Sequence, residues 1–107
     1  MRQWDIYLFP FDKEQPHPVV IISVDERCEY AEAVNGLLCS TVRLTRPPKR
    51  HETVLDEADG LDWRTACRCD FIYGLPKAEF GALRGRVSEY RRRDICAKLR
   101  ECFRFVG

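Results

Sequence analysis

Apolar, β-prone residues occur in this chain as short runs separated by turn residues, which is the pattern of a small sheet. Residues 4–9 alternate and are rich in β-formers, so they predict a first strand. Residues 19–24 form an almost continuous apolar run, which predicts a strand buried on both faces. Residues 65–75 have the clearest period of two and predict the fifth strand.

The remaining segments predict short elements around these strands. Residues 25–33 predict a short helix before an Asn35-Gly36 turn, and three further runs predict strands at residues 37–44, 51–55 and 85–87. Ser88 is a candidate N-cap for a last helix. Its apolar stripe consists of Ile95, Leu99, Cys102, Phe103 and Val106. The sequence predicts one domain over residues 1–107: five or six mostly antiparallel strands and a C-terminal helix, as a small barrel or a curled sheet.

Positive charge is concentrated in the second half of the chain, although the net charge is only +1. Residues 1–36 carry 3 basic and 7 acidic side chains, whereas residues 65–107 carry 10 and 5. Arg outnumbers Lys by 14 to 4, and the planar guanidinium fork suits phosphate or carboxylate. Composition alone favours a solvated basic face over a binding surface.

The 6 cysteines would suit a disulfide framework in a secreted chain. The first residues lack the apolar core of a signal peptide, so we expect a cytoplasmic protein with reduced thiols. The longest apolar run, Val19 to Ile22, is far too short to span a membrane. Cys67-Arg68-Cys69 is a C-x-C pair without a second pair, so we expect no metal and no cofactor.

Four motifs follow one another along nearly the whole chain. The first is Trp-Asp-Ile-Tyr-Leu at residues 4–8, and the second is His-Pro-Val-Val-Ile-Ile-Ser at residues 17–23. The third is Gly-Leu at residues 60–61 followed by Arg-Cys-Asp at 68–70, and the last is Gly-Arg-Val-Ser at 85–88. In this order they resemble the PemK/MazF type of toxin from type II toxin–antitoxin systems.

The resemblance implies a small SH3-like β-barrel with a C-terminal helix, and a homodimer. It also implies an endoribonuclease that cleaves single-stranded mRNA at short sequences without metal and so inhibits growth. The partners it implies are single-stranded RNA and a cognate antitoxin.

Arg68 and Asp70 are the strongest catalytic candidates. Two residues apart on a strand, they point to the same face, opposite Cys67 and Cys69. Their Arg-Cys-Asp triplet resembles the catalytic pair of the PemK branch. The resemblance implies that Arg68 stabilises the phosphate in the transition state and that Asp70 transfers a proton or orients a partner. Apart from the resemblance, Arg68 and Asp70 would be an exposed ion pair, which contributes little to stability.

His17 and two hydroxyl residues complete the catalytic candidates. An imidazole can take or give a proton near neutral pH. His17 stands where MazF-like members have a catalytic Arg, so it either replaces that residue or merely occupies a loop. Ser40 and Thr41 lie where the family has a catalytic hydroxyl residue. The alternation of the strand does not decide which of the two has that role, so both are candidates.

A basic loop provides the candidates for RNA binding. Residues 43–50 contain four basic residues, no acidic residue and two prolines. Arg43, Arg46, Lys49 and Arg50 could follow an RNA backbone, and Glu14 and Gln15 weakly resemble a Glu-Gln pair of the family. Trp63, Phe80 or Tyr73 could stack on unpaired bases. We expect Trp4 in the core, His51 in a structural or exposed position, and residues 91–93 on a solvated helix face or in contact with RNA or antitoxin.

Two alternative functions remain open at this point. The related CcdB toxins poison DNA gyrase through their last residues, and this chain ends in Phe-Arg-Phe-Val-Gly at residues 103–107. An inactive homologue that only binds an antitoxin is the other alternative, favoured by His17 in place of the family's Arg.

Overall fold

The computed structural model describes residues 1–11 and 15–107, which form seven strands and two α-helices. In chain order these are β1 (Asp5–Phe9), β2 (His17–Ile21), α1 (Asp25–Tyr30), β3 (Ala33–Leu38), β4 (Glu52–Leu55), β5 (Thr65–Arg68), β6 (Tyr73–Pro76), β7 (Leu83–Arg86) and α2 (Glu89–Cys102). Short 3-10 helices at Glu57–Asp59 and Lys77–Glu79 follow β4 and β6.

The strands form two antiparallel sheets. The larger has five strands in the order β6-β3-β2-β1-β7, and the smaller pairs β4 with β5. An isolated bridge between Cys39 and Cys67 connects the end of β3 to β5. The predicted mainly β fold with a C-terminal helix is confirmed. The described residues show two joined sheets with seven strands, rather than one closed barrel of five or six.

Strand β2 is buried on both faces, as its apolar run predicts. Val20 packs with Ile6 and Leu37 in one core cluster, whereas Val19 and Ile21 belong to a second cluster across the sheet. Successive side chains of a strand point to opposite faces, so only a run of apolar residues satisfies both clusters. The strand begins at His17, two residues before the apolar run.

The prediction of one strand over residues 65–75 is wrong. The chain forms β5 over Thr65–Arg68, leaves the small sheet, and enters the large sheet as β6 over Tyr73–Pro76. Cys67 and Cys69 pack in the first core cluster, but Leu75 packs in the second. The segment therefore passes from one sheet to the other, although its alternation is continuous in the sequence.

The predicted Asn35-Gly36 turn is also wrong, because both residues lie inside β3. A Cβ at Gly36 would overlap Cγ1 of Val19 on the neighbouring strand, so close packing requires the glycine. The predicted third strand, residues 37–44, ends at Leu38 instead. After the Cys39 bridge the chain turns at Ser40, whose hydroxyl pairs with the backbone of Val42.

Helix α2 begins after Ser88, and Ile95 is its buried anchor in the first core cluster. The Ser88 side chain makes no capping hydrogen bond, whereas its backbone N–H donates to Oδ1 of Asp59 at 2.8 Å. The helix ends at Cys102, so Val106 of the predicted stripe is outside it and 92% exposed. Neither described helix combines the length and the apolar character that crossing a membrane requires.

Candidate functional site

A cavity of about 530 Å³ gathers most of the predicted site residues. It lies where the start of β2, the loop between β3 and β4, and the end of β5 meet. Its lining includes the catalytic candidates His17, Ser40, Arg68 and Asp70, and the basic-loop residues Arg46, Lys49 and Arg50. These residues are up to 53 positions apart in the sequence, so the two-sheet fold brings them together.

Arg68 and Asp70 form an ion pair at the end of β5. Their side chains point outward because Cys67 and Cys69, beside them in the sequence, are fully buried in the core. Nε of Arg68 lies 3.4 Å from Oδ1 of Asp70, and the two side chains are 52% and 40% exposed. So long and exposed a pair is weak. The guanidinium therefore stays available to an anion in the cavity.

His17 is held in one orientation at the start of β2. Its Nδ1 lies 3.2 Å from the carbonyl oxygen of Cys39. A carbonyl oxygen can only accept, so Nδ1 carries the proton in this contact. In the neutral ring this leaves Nε2 as the proton acceptor. The ring also packs edge-on against Phe11, with 5.5 Å between the centroids.

Glu52 fixes the basic loop to β4. Nη1 and Nη2 of Arg46 lie 2.7 Å and 2.9 Å from the two carboxylate oxygens, and the backbone N–H of Lys49 donates to Oε1 at 2.7 Å. The hydrogen bonds from Arg46 lower the pKa of Glu52 from 4.5 to about 2. The carboxylate is therefore ionised and largely neutralises Arg46.

Arg50 joins the same loop to helix α2. Its guanidinium forms an ion pair with Glu101, with Nε 2.6 Å from Oε1. The side chain is 78% exposed, so the pair contributes little energy. The loop is thus attached at two points, and Lys49, which lies between them in the sequence, lines the cavity.

The other candidates lie elsewhere. Arg43 is exposed, and the described lining of the cavity does not include it. Gln15 and Thr41 line a second cavity of about 200 Å³, while Ser40 lines both. Glu14 lies outside the described residues. The alternatives Ser40 and Thr41 therefore differ: of the two, Ser40 shares the larger cavity with Arg68.

A family model described as PemK-like, MazF-like toxin of type II toxin–antitoxin system matches residues 2–103. The chain belongs to this family. The match spans the large cavity and both sheets, so the resemblance seen in four short motifs is confirmed over nearly the whole chain.

Solved structures share the fold of this PemK/MazF-family chain. The Mycobacterium tuberculosis toxin MazF-mt6 aligns with a TM-score of 0.79 and 16% identity, covering 96% of this chain and 99% of its own. An endoribonuclease in complex with its cognate antitoxin, from a mycobacterial species, aligns at 0.76 and 18% identity over 95% and 91%. A mycobacterial endoribonuclease aligns at 0.75 and 22% identity over 95% and 89%. No curated protein matches the sequence.

The sequence does not predict two of the residues that line this cavity. His51, for which we expect a structural or exposed position, lines the cavity, and its buried Nδ1 has no hydrogen-bond partner among the described residues. Glu52 was not a candidate, although it organises the basic loop. The pairing of β4 with β5 places both residues at the cavity, because its register sets Glu52 opposite Arg68.

The cysteines near the cavity are structural. All six are free thiols, and Cys39, Cys67 and Cys69 are fully buried. Hydrogen bonding with Cys39, together with burial, raises the pKa of the Cys67 thiol well above its ordinary value. Within residues 1–11 and 15–107, no group of three or more His, Cys, Asp or Glu side chains is arranged to hold a metal ion.

The three arginines at the start of α2 have separate environments. Arg91 pairs with Asp56 and Asp59, and Arg92 donates from Nε to the carbonyl oxygen of Val87 at 2.7 Å. Arg93 is exposed. Of the three, Arg93 is therefore the one that projects into solvent.

Proposed function

We propose that this chain is the toxin of a type II toxin–antitoxin pair and acts as a metal-independent endoribonuclease on single-stranded mRNA. The observation that carries the proposal is one cavity lined by a weakly paired arginine, an oriented histidine and a basic loop. Membership of the toxin family supports it. So does the fold shared with two proteins named as endoribonucleases.

Cleavage would use the neighbouring 2′-hydroxyl of the RNA as nucleophile. The 2′-oxygen bonds to phosphorus as the bond from phosphorus to the 5′-oxygen breaks, giving a cyclic phosphate and a free 5′-hydroxyl. Nε2 of His17 takes the proton from the 2′-hydroxyl, the departing 5′-oxygen takes a proton from solvent water, and the imidazolium returns its proton to solvent, so the protons balance. Arg68 stabilises the negative charge that gathers on the phosphate, and Asp70 orients Arg68. This reaction needs no metal ion, because Arg68 supplies the cation.

The basic loop would hold the RNA on either side of the reacting phosphate. Lys49 and Arg50 line the cavity with Arg68 and offer their charges to neighbouring phosphates. The ion pair with Glu52 keeps Arg46, and with it the loop, against the sheet. The exposed Arg43 would contribute farther from the reacting phosphate.

An antitoxin is the second partner we propose, together with assembly as a homodimer. One neighbour of the same fold is named as an endoribonuclease in complex with its cognate antitoxin. A toxin acting on the mRNA of its own cell meets that substrate in the cytoplasm. Cleavage there would stop translation and arrest growth.

The deciding experiment is incubation of the purified protein with a long unstructured RNA in EDTA, followed by sequencing of the fragment ends. We expect discrete cuts by the wild type and a rate about 10²- to 10³-fold lower for Arg68→Ala, because one charge-stabilising group is lost. Arg93→Ala is the matched control, since it removes an exposed arginine away from the cavity.

Each other outcome has a definite meaning. Cutting that stops on addition of EDTA would overturn metal independence. Equal cutting by Arg68→Ala and wild type would overturn the assignment of the site. No cutting by a folded wild type would favour a protein that binds an antitoxin without cleaving RNA.

A DNA gyrase poison is the second candidate function, and the exposed tail favours it. Phe105 and Val106 are 93% and 92% exposed beyond the end of α2. Removal of residues 105–107 would then relieve growth arrest, while Arg68→Ala would remain toxic. The ribonuclease proposal requires the opposite pattern.

A further inference from the structure

The second cavity lies directly beside the first and differs from it in character. It has a volume of about 200 Å³, and Ser40 lines both cavities. Apolar side chains form much of its wall: Leu8, Pro16, Pro18, Leu61 and Trp63. Trp63 is 39% exposed, so much of this large apolar side chain remains uncovered. Proteins that bind single-stranded nucleic acid combine a basic groove for the phosphates with aromatic side chains on which the bases stack. The two cavities together have these features.

The loop that carries Trp63 is fixed by its neighbours. Gly60 has a φ of 87°, and a Cβ at Gly85 would overlap the carbonyl oxygen of Asp59, so the chain passes close to β7 here. Leu61 is buried, and its N–H donates to the carbonyl oxygen of Asp56 at 3.2 Å. The cavity wall is therefore formed before any ligand binds, which lowers the entropic cost of binding.

Polar groups at the second cavity complement the edge of a planar ring. Arg84 and Asp62 form an ion pair of 2.6 Å and present both donors and acceptors, and Thr41 adds a hydroxyl. The volume is below the 300–1,000 Å³ of cavities that take drug-sized ligands. One nucleobase, with a π face and a polar edge, fits this combination.

We propose that the cavity beside Trp63 is a nucleobase subsite, in which one base of the single-stranded RNA stacks on the indole while the adjacent phosphate lies at Arg68. The inference rests on the proposed ribonuclease function and adds one element to it, a position where the base is read. Trp63 is then a specificity residue, and Ser40 marks the boundary between the phosphate and base subsites.

Cleavage of a random-sequence RNA pool tests this assignment. We expect Trp63→Ala to lose the base preference at one position near the cut and to lower kcat/KM roughly 5- to 150-fold, the value of one stacked base. Trp63→Phe keeps an aromatic face and should stay near the wild type. Tyr30→Ala removes an exposed aromatic residue that lines neither cavity, so it is the matched control.

Indole fluorescence gives a second readout that needs no cleavage. The chain has 2 tryptophans, and Trp4 packs against the core, so a change that disappears in Trp63→Phe reports on Trp63. We expect a single-stranded RNA oligonucleotide to quench the fluorescence of Arg68→Ala, and not that of Arg68→Ala/Trp63→Phe.

The two readouts separate failure of the subsite from failure of the enzyme. If the wild type cleaves and Trp63→Ala keeps both its rate and its base preference, the subsite is overturned and the ribonuclease stands. If nothing cleaves RNA, quenching still decides whether a base occupies the cavity. Quenching by a cognate antitoxin peptide but not by RNA would overturn the proposal in favour of a protein side chain.

Discussion

Arg46 and Glu52 form a bidentate ion pair that attaches the basic loop to the edge of the smaller sheet, with distances of 2.7 Å and 2.9 Å. Glu52 is 7% exposed, and it also accepts the backbone N–H of Lys49. The carboxylate thus satisfies three donors of one loop. Glu52 therefore fixes the position of the basic loop, and the loop in turn forms part of the wall of the large cavity.

Glu52→Gln should destabilise the protein at neutral pH. The pKa of Glu52 falls from 4.5 to about 2 on folding, so this carboxylate stabilises the folded state above roughly pH 4.5 and loses that contribution as the pH falls towards 2. We expect the free energy of unfolding to drop by about 1–3 kcal/mol at neutral pH, and by much less near pH 2. Urea unfolding at a series of pH values measures both.

Arg46→Ala and the double variant complete the test. If the pair acts as a unit, the losses of unfolding free energy in the two single variants will add up to more than the loss in Arg46→Ala/Glu52→Gln. The reason is that each single variant leaves an unpaired group. Parallel stability curves for wild type and Glu52→Gln from neutral pH to pH 2 would show that the Glu52 carboxylate contributes nothing to acid sensitivity.

His17→Asn should separate the two nitrogens of the imidazole. An asparagine amide can reach the Nδ1 position and donate to the carbonyl oxygen of Cys39, but it offers no proton acceptor at the Nε2 position. We expect stability close to the wild type and a fall in kcat of about 10²- to 10⁴-fold, because the proton acceptor is lost. Rates of RNA cleavage and urea unfolding of the same preparation measure the two effects.

His17→Gln is the companion variant, because its amide lies near Nε2 instead. It should lose activity as well, and it should be the less stable of the two variants because the Cys39 carbonyl loses its donor. A kcat of His17→Asn within a few-fold of the wild type would remove His17 from the reaction and leave it a structural role.

The fold could be predicted as far as local patterns determine it. The run through Val19 to Ile21 is apolar because both faces of β2 are covered, and the stripe around Ile95 is apolar because α2 packs on the sheet. The boundary between β5 and β6 could not be predicted, since alternation continues while the chain changes sheets. At Gly36 the missing Cβ makes room for Val19 of a neighbouring strand. The sequence alone cannot show this contact, so its Asn-Gly pair predicts a turn.

The site divides in the same way. The outward pairing of Arg68 with Asp70 follows from the period of two, which continues through the buried Cys69 beyond the end of β5 at Arg68. The neutralisation of Arg46 by Glu52 depends on how the loop folds back, and the place of His51 depends on strand register. Long-range geometry of this kind has no signature in one sequence.

Thiol labelling should distinguish two classes of cysteine. Cys28, Cys39, Cys67 and Cys69 are buried, whereas Cys96 and Cys102 are partly exposed. Hydrogen bonding with Cys67 and burial raise the pKa of the Cys69 thiol, which further suppresses its reactive thiolate. We expect iodoacetamide to modify only Cys96 and Cys102 in the native protein, and all six in urea. Peptide mass spectrometry identifies the modified sites, and rapid native labelling of Cys67 would contradict the packing.

Arg91→Ala should be among the most destabilising substitutions on α2, although it changes a charged residue. The guanidinium lies 2.5 Å from Oδ2 of Asp59 and 2.8 Å from Oδ1 of Asp56, and the Asp59 side chain is 0% exposed. Removal of the arginine leaves a buried carboxylate without its cation, which costs about 3–5 kcal/mol. The free energy of unfolding in urea measures the loss.

Arg93→Ala is the matched control on the same turn of the helix. Arg93 is exposed, so its removal should change the free energy of unfolding by less than about 0.5 kcal/mol. Arg91→Lys should fall between the two, since lysine keeps the charge but cannot bridge both aspartates with a planar fork. Equal stabilities for Arg91→Ala and Arg93→Ala would mean that Asp59 finds another partner, and that the ion pairs of Arg91 do not hold the start of α2.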